Sequence, residues 1–184
     1  MIPTSMLERE VINSELLLKY INQIKIKEFR SFQYHAIQNG LLEGQSLLVS
    51  APSGSGKTLV AELAIINMIS KGKKAIYAAP YRAICNEKYE RFLELGKSIK
   101  INVTISTSDF NKNLANLDET DLVVCTYERL DSLLRLNQDF FEKIGVVVID
   151  EIHEMGESYR GARLEGTLTR IKMKFPQIQL KNQM

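Results

Sequence analysis

Ser46-Leu47-Leu48-Val49-Ser50-Ala51-Pro52-Ser53-Gly54-Ser55-Gly56-Lys57-Thr58 passes from a short apolar run, through a turn of small residues, into a stretch that continues to about Ser70 with Leu59, Leu63 and Ile66 on one face. Apolar run, glycine turn and amphipathic stretch read as strand, loop and helix. The glycines let the backbone curl until successive N–H groups face one anion-sized hollow. The helix that follows adds its unpaired amides and the positive end of its dipole. From Ala51 to Thr58 the spacing is that of a Walker A phosphate loop, with Ala51 in the first glycine position. In such a loop the lysine, here Lys57, reaches the β- and γ-phosphates of ATP, and the hydroxyl, here Thr58, is placed to ligate Mg2+.

Working outward, the same alternation repeats. Strands are predicted at Ser46–Ser50, Ala75–Ala79, Ile101–Ile105, Asp121–Cys125 and Gly145–Ile149, and helices at Lys57–Ser70, Tyr81–Leu95 and Tyr127–Leu136. Strands that are apolar throughout belong to sheets covered on both faces, and strand–helix alternation builds parallel sheets. The expectation is a doubly wound α/β fold with helices on both faces. Upstream, the spacing predicts a helix from about Met6 to Ile24, a charged connector at Lys25–Arg30, and a helix from about Gln33 to Glu43 capped by Gly44. Residues 1–30 are therefore set apart as an N-terminal helix and connector, ahead of a domain at 31–184.

The 184 residues are 45% hydrophobic and 25% charged, a composition that excludes extensive disorder. A net charge of +2 neither identifies nor excludes a nucleic-acid partner, which would have to be held by a local arrangement of groups. Cys85 and Cys125 have neither metal-ligand spacing nor a neighbouring base, so they are expected as reduced core thiols. No basic-then-apolar leader follows Met1, and no apolar run approaches the roughly 18 residues of a membrane helix. A cytoplasmic protein with no membrane partner is expected.

Val146-Val147-Val148-Ile149-Asp150-Glu151-Ile152-His153 is an apolar strand ending in two adjacent carboxylates. Phosphoryl transfer needs one acidic group near the metal and another to orient or deprotonate the attacking water. Asp150 suits the first role and Glu151 the second. Ligands of open parallel sheets collect at these strand ends, so both motifs are expected to converge on one crevice.

Asp150-Glu151-Ile152-His153 resembles the DExH box of superfamily-two helicases. The run through Glu154-Met155-Gly156, Tyr159-Arg160-Gly161 and Leu164-Glu165 is similar to archaeal Hjm-type DNA helicases and the related Ski-like RNA helicases. The resemblance, over about residues 28–175, implies the first RecA-like ATPase domain of such an enzyme and brings His153 into the catalytic set. It implies that Gln33 reads the adenine edge, since an amide both donates and accepts. The cofactor-binding set is then Gln33, Ala51, Pro52, Ser53, Gly54, Ser55, Gly56, Lys57 and Thr58, with Thr58 and Asp150 on the metal.

Three further elements resemble strand-gripping motifs of that family. Ala79-Pro80-Tyr81-Arg82-Ala83-Ile84 is similar to its Pro-Leu-Arg-Ala-Leu-Ala element, and Ser106-Thr107-Ser108-Asp109-Phe110 to a Ser-Thr-Gly-Asp element, with Ser108 where glycine is usual. Thr126 to Arg135 is similar to Thr-x-Glu-Lys-x-Asp-Ser-Leu-x-Arg, with Tyr127 where proline is common. The resemblance implies nucleic-acid contacts at Pro80, Tyr81, Arg82, Thr107, Asp109, Thr126 and Arg129. Arg163 and Arg170 are expected on a solvated helix surface.

In the family a strand then leads into a Ser-Ala-Thr motif and a second RecA-like lobe carrying arginine fingers. Phe175–Leu180 begins such a strand, but Lys181-Asn182-Gln183-Met184 stands where an apolar continuation is expected. An arginine finger is worth about 10³–10⁵ in phosphoryl-transfer rate, so these residues by themselves are expected to bind ATP–Mg2+ and hydrolyse it slowly. The leading reading is the motor domain of an ATP-dependent DNA helicase of the fork-repair type, moving on single-stranded DNA when joined to a second lobe. The alternatives are a Ski-like RNA helicase, a duplex translocase, and a non-catalytic nucleotide- or nucleic-acid-binding module.

Overall fold

A computed structural model describes residues 2–3, 14–52, 54–107, 117–155 and 159–183. The strands are β1 (Ile2–Pro3), β2 (Glu28–Phe29), β3 (Leu47–Val49), β4 (Lys74–Ala79), β5 (Val103–Ser106), β6 (Leu122–Thr126), β7 (Ile144–Ile149) and β8 (Gln179–Gln183). The helices are α1 (Glu15–Ile24), α2 (Ser31–Gln38), α3 (Lys57–Ser70), α4 (Arg82–Ile99), α5 (Tyr127–Leu136), α6 (Gln138–Glu142) and α7 (Tyr159–Lys174). The main sheet runs β3-β8-β7-β4-β6-β5 with every pairing parallel, and β1 and β2 form a separate antiparallel pair.

Alternate residues of the central strands feed two different cores. Tyr77, Leu122, Val124, Val146 and Val148 pack with α1–α4 on one face. Ile76, Val123, Cys125, Val147 and Ile149 pack with α5–α7 on the other. Full burial on both sides is why these strands read as continuous apolar runs rather than as alternating ones. Cys85 and Cys125 are free and buried, and burial pushes the Cys85 thiol up to about 12 and Cys125 well above its ordinary value. Among the described residues no helix is long and apolar enough to cross a membrane.

Three expectations need correction. A continuous helix from Met6 is interrupted at Ser14, whose extended backbone and side-chain acceptor for the Leu17 amide make it the N-cap of α1; residues 6–13 lie outside the described residues. The second helix ends at Gln38 rather than Glu43. Gly40, at φ +83°, donates to the Ile37 carbonyl while Leu41 donates to Ala36, a Schellman closure one turn before Gly44. Finally, Lys181–Gln183 do not end the last strand but continue β8, which is inserted between β3 and β7.

That insertion buries polar side chains. Gln179 spends its amide on the carbonyls of Leu41 (2.9 Å) and Gln45 (2.7 Å), and Gln183 donates to the Lys57 carbonyl at 3.1 Å. Lys181 between them is fully buried and its ammonium has no hydrogen-bond partner; burial brings its pKa down to about 7. Below that pH the folded chain buries a charge, whereas above it only the unfolded chain holds the extra proton. Stability therefore rises with pH from about 7 to about 10, at most about 1.4 kcal/mol per unit. Lys181→Met is expected to stabilise the fold near neutrality by up to about 4 kcal/mol, the limiting slope acting over about three pH units. In thermal unfolding at pH 6, 8 and 10 the gap between the two chains narrows with rising pH; a constant gap contradicts this account.

Candidate active site

Because β3, β8 and β7 are parallel and in register, Leu48, Asn182 and Ile149 lie level across the sheet. The loop after β3 and the acidic pair after β7 therefore emerge from the same edge, two strand spacings or about 10 Å apart. They share one cleft of about 760 Å³, whose lining includes Gly54, Gly56, Lys57, Thr58, Asp150 and Glu151. Gln33, Arg30 and Gln183 line it too.

The loop is held from several sides. Lys57 Nζ rests on the Ala51 carbonyl at 2.8 Å, and the Ser55 amide donates to the Pro52 carbonyl at 3.1 Å. Gln33 is buried, accepts from the Arg30 amide at 2.9 Å and donates to the Gly56 carbonyl at 3.0 Å. One amide N–H and the second lone pair of its oxygen are not engaged in those two bonds. Arg30 donates to the Ser55 carbonyl at 2.6 Å, so the connector is part of the loop's support. Gly56 sits at φ +90°, and a Cβ there would stand 2.8 Å from Gln33 Nε2. Ser53 lies outside the described residues.

Asp150 is buried at the end of β7, its amide bonded to the Ala78 carbonyl at 2.9 Å. One carboxylate oxygen accepts from the Glu151 amide at 3.1 Å and the other from the Tyr77 hydroxyl. Burial, then the charge of Asp150, pushes the Tyr77 phenol far above its ordinary value, so it stays a donor. Tyr127 donates its hydroxyl to the Asp150 carbonyl. Glu151 has left-handed backbone at φ +55°, and its carboxylate is 3.4 Å from Nδ1 of the exposed His153 on the 3₁₀ turn Ile152–Met155.

A phosphate chain with Mg2+ fits this donor set. Amides at the start of α3, a lysine and a glycine cradle that a Cβ would fill suit the anion. Among the described residues no group of three or more His, Cys, Asp and Glu could cage a metal. A hydroxyl and one or two carboxylates suit a cation that keeps waters and is shared with phosphate.

The residues assigned to nucleic acid follow the ends of the other three strands. Pro80, buried, and the exposed Tyr81 and Arg82 follow β4; half-buried Thr107 follows β5; Thr126 ends β6 and Arg129 lies in the first turn of α5. Asp109 lies outside the described residues. Arg129 is buried, donates to Ser106 Oγ at 2.8 Å, and leaves Nη2 without a hydrogen-bond partner.

Arg163 and Arg170 are not simply solvated. Together with Arg135 and Thr167 they bond the fully buried Asp131, tying α5 to α7. Burial would raise this carboxyl, but the bonds from Arg135, Arg163 and Thr167 hold it at about 2. The buried Glu62 is a second hub, bonded by Tyr20 at 2.5 Å and by Arg91, and it joins α1, α3 and α4 beside the cleft. Arg30, Tyr77, Tyr127, Gln183, the Glu62 hub and the α7 half of the Asp131 hub escaped sequence reasoning. The unusual Tyr127 carried a signal, as did the i, i+4 spacing of Asp131 and Arg135.

The DEAD/DEAH box helicase family profile matches residues 30–183. The chain belongs to the DEAD/DEAH box helicase family. This domain is 44% identical over 151 residues to the ATP-dependent DNA helicase Hel308 of Methanocella arvoryzae, a match covering 80% of the chain and 20% of that protein. It is 36% identical over 159 residues to Hel308 of Pyrococcus abyssi, covering 86% and 22%. The chain thus spans about a fifth of the length of these relatives. The crystal structure of the DUF1998 helicase MrfA superposes with a TM-score of 0.79 at 22% identity, covering 95% of this chain and 29% of that one. The RecA-like helicase fold is therefore established for the domain.

Two substitutions test this geometry. Gly56→Ala is expected to displace Gln33 and weaken nucleotide binding at least tenfold, roughly the 1.4 kcal/mol that left-handed backbone alone costs an L residue; unchanged affinity in calorimetry contradicts the cradle. Asp131→Asn, which strips the shared carboxylate from three guanidiniums, is expected to destabilise the domain by about 3 kcal/mol in denaturant unfolding.

Proposed function

We propose that this domain is the ATP-binding motor of an ATP-dependent DNA helicase, driving translocation along single-stranded DNA when joined to a second RecA-like lobe. The observation that carries the reading is the convergence of the Lys57 loop and the Asp150–Glu151 pair in one cleft. The Hel308 relatives are named ATP-dependent DNA helicases, and a second MrfA structure of the same fold, with a TM-score of 0.76, is bound to DNA and AMPPNP.

In this reading the amides of the Gly54–Thr58 turn cradle the phosphates and Lys57 leaves the Ala51 carbonyl to meet them. Thr58 and Asp150 would hold Mg2+, which would supply charge neutralisation at the transferring phosphoryl group. Glu151 orients the attacking water and accepts its proton, with His153 steadying the carboxylate it faces. Gln33 offers its unengaged N–H and lone pair to the adenine edge. Pro80 to Arg82, Thr107, Asp109, Thr126 and Arg129 grip the strand by phosphate and amide contacts, which position nucleic acid without reading its sequence.

Lys57→Ala is expected to abolish ATP–Mg2+ binding in calorimetry. In a chain carrying a second lobe, Glu151→Gln is expected to retain binding while turnover falls by about 10² or more, the usual worth of a general base. Stimulation of that turnover by single-stranded DNA over RNA and duplex supports the DNA reading; stimulation by RNA alone overturns it in favour of the Ski-like alternative.

A further inference from the structure

Every polar atom of Asp150 already carries a hydrogen bond. The amide bonds Ala78, one carboxylate oxygen bonds the Glu151 amide, the other bonds Tyr77, and the carbonyl bonds Tyr127. The two tyrosines reach it from opposite faces of the sheet. Tyr77 belongs to the core beneath α1–α4 and Tyr127 to the core beneath α5–α7.

We propose that Tyr77 and Tyr127 are positioning residues that clamp Asp150 from the two faces of the sheet and hold its carboxylate in the orientation a divalent cation requires. The inference rests on the reading of Asp150 as the metal-holding carboxylate. A carboxylate's terminal torsion is broad and roughly two-fold, so an Asp at a strand end has no preferred direction of its own. The Tyr77 hydroxyl removes that freedom by engaging one oxygen, and each oxygen keeps a lone pair for the cation or its waters. Its ring is fully buried and edge-on to Phe92 at 5.4 Å between centroids, so the hydroxyl is delivered from a fixed platform.

Tyr127 acts on the peptide plane. The carbonyl it bonds belongs to the Asp150–Glu151 peptide, and Glu151 beyond it is left-handed, which costs a non-glycine residue roughly 1–2 kcal/mol. Fixing that plane fixes the direction of the Glu151 amide, which is the donor to the second carboxylate oxygen. One tyrosine therefore restrains one oxygen directly and the other restrains its neighbour through the backbone. Phenylalanine at either position would keep the ring and remove the hydroxyl that bonds Asp150.

The test measures Mn2+ binding to the ADP-saturated 184-residue chain by loss of the free-ion EPR signal, alongside ADP affinity in EDTA by calorimetry. For Tyr77→Phe the Mn2+ dissociation constant is expected to rise about tenfold, as on loss of a hydrogen-bond partner behind a metal ligand, with metal-free ADP affinity within about twofold of the parent. Tyr127→Phe is expected to move Mn2+ binding in the same direction, and Asp150→Asn at least as far. An unchanged Mn2+ constant in Tyr77→Phe beside a weakened one in Asp150→Asn overturns the clamp alone. An unchanged constant in Asp150→Asn overturns the metal assignment itself and the clamp with it. A parallel loss of metal-free ADP affinity in Tyr77→Phe marks general damage and also overturns the clamp. Should Tyr77→Phe fail to fold by circular dichroism, Tyr127→Phe decides by the same criteria.

Discussion

The parallel register of β3, β8 and β7 is the constraint from which the site follows. It brings the end of the Lys57 loop and the Asp150–Glu151 pair to one edge, level with each other across a single intervening strand. Neither motif forms a site by itself: the loop supplies amides and a cation, the strand end supplies carboxylates, and only the shared edge puts them around one cleft. A slip of one residue in β8 would carry every side chain of that strand to the opposite face. It would withdraw Gln183 from the Lys57 carbonyl and Gln179 from the Leu41–Gln45 turn at once. Those two amides act as register pins.

This explains why β8 tolerates a sequence that does not look like a central strand. A buried position in a parallel sheet normally takes an apolar residue, and β8 instead buries Gln179, Lys181 and Gln183. The two glutamines recover most of their desolvation through backbone carbonyls, although Gln179 leaves its own carbonyl oxygen without a partner. Lys181 recovers nothing by hydrogen bonding. The strand is retained because backbone pairing on both sides satisfies its main chain whatever the side chains are.

The same strand marks where sequence reasoning runs out. The apolar runs of β4, β6 and β7 and the glycine loop before α3 are written in local pattern, so fold class and cleft were legible from them. β8 carries such a pattern only at its start, before Lys181, and its polar continuation is set by pairing with β7 and with β3, the latter more than a hundred residues away. The end of α2 was misplaced because two glycines compete for the cap and only the hydrogen bonds of Gly40 and Leu41 choose between them. The Asp131 hub was half legible: Asp131 and Arg135 share a helix face at i and i+4, but Arg163 and Arg170 arrive from α7. Tyr77 was invisible as anything but core, since its ring is core and only its hydroxyl is not.

The two tyrosines also show how the halves of the sheet are joined. β3, β8 and β7 carry the cleft, while β4, β6 and β5 end in Pro80–Arg82, Thr126–Arg129 and Thr107. Tyr77 lies on β4 three residues before Pro80, and Tyr127 directly follows Thr126 at the end of β6. Asp150 is therefore hydrogen-bonded straight into the two segments that present the row assigned to nucleic acid. Packed interiors transmit displacement because they have little free volume in which to absorb it. Any shift of the carboxylate must move the Tyr77 hydroxyl, break its bond, or deform the end of β4. The connection between the acidic pair and that row runs through the hydroxyls of Tyr77 and Tyr127 and through the backbone bond from the Asp150 amide to the Ala78 carbonyl.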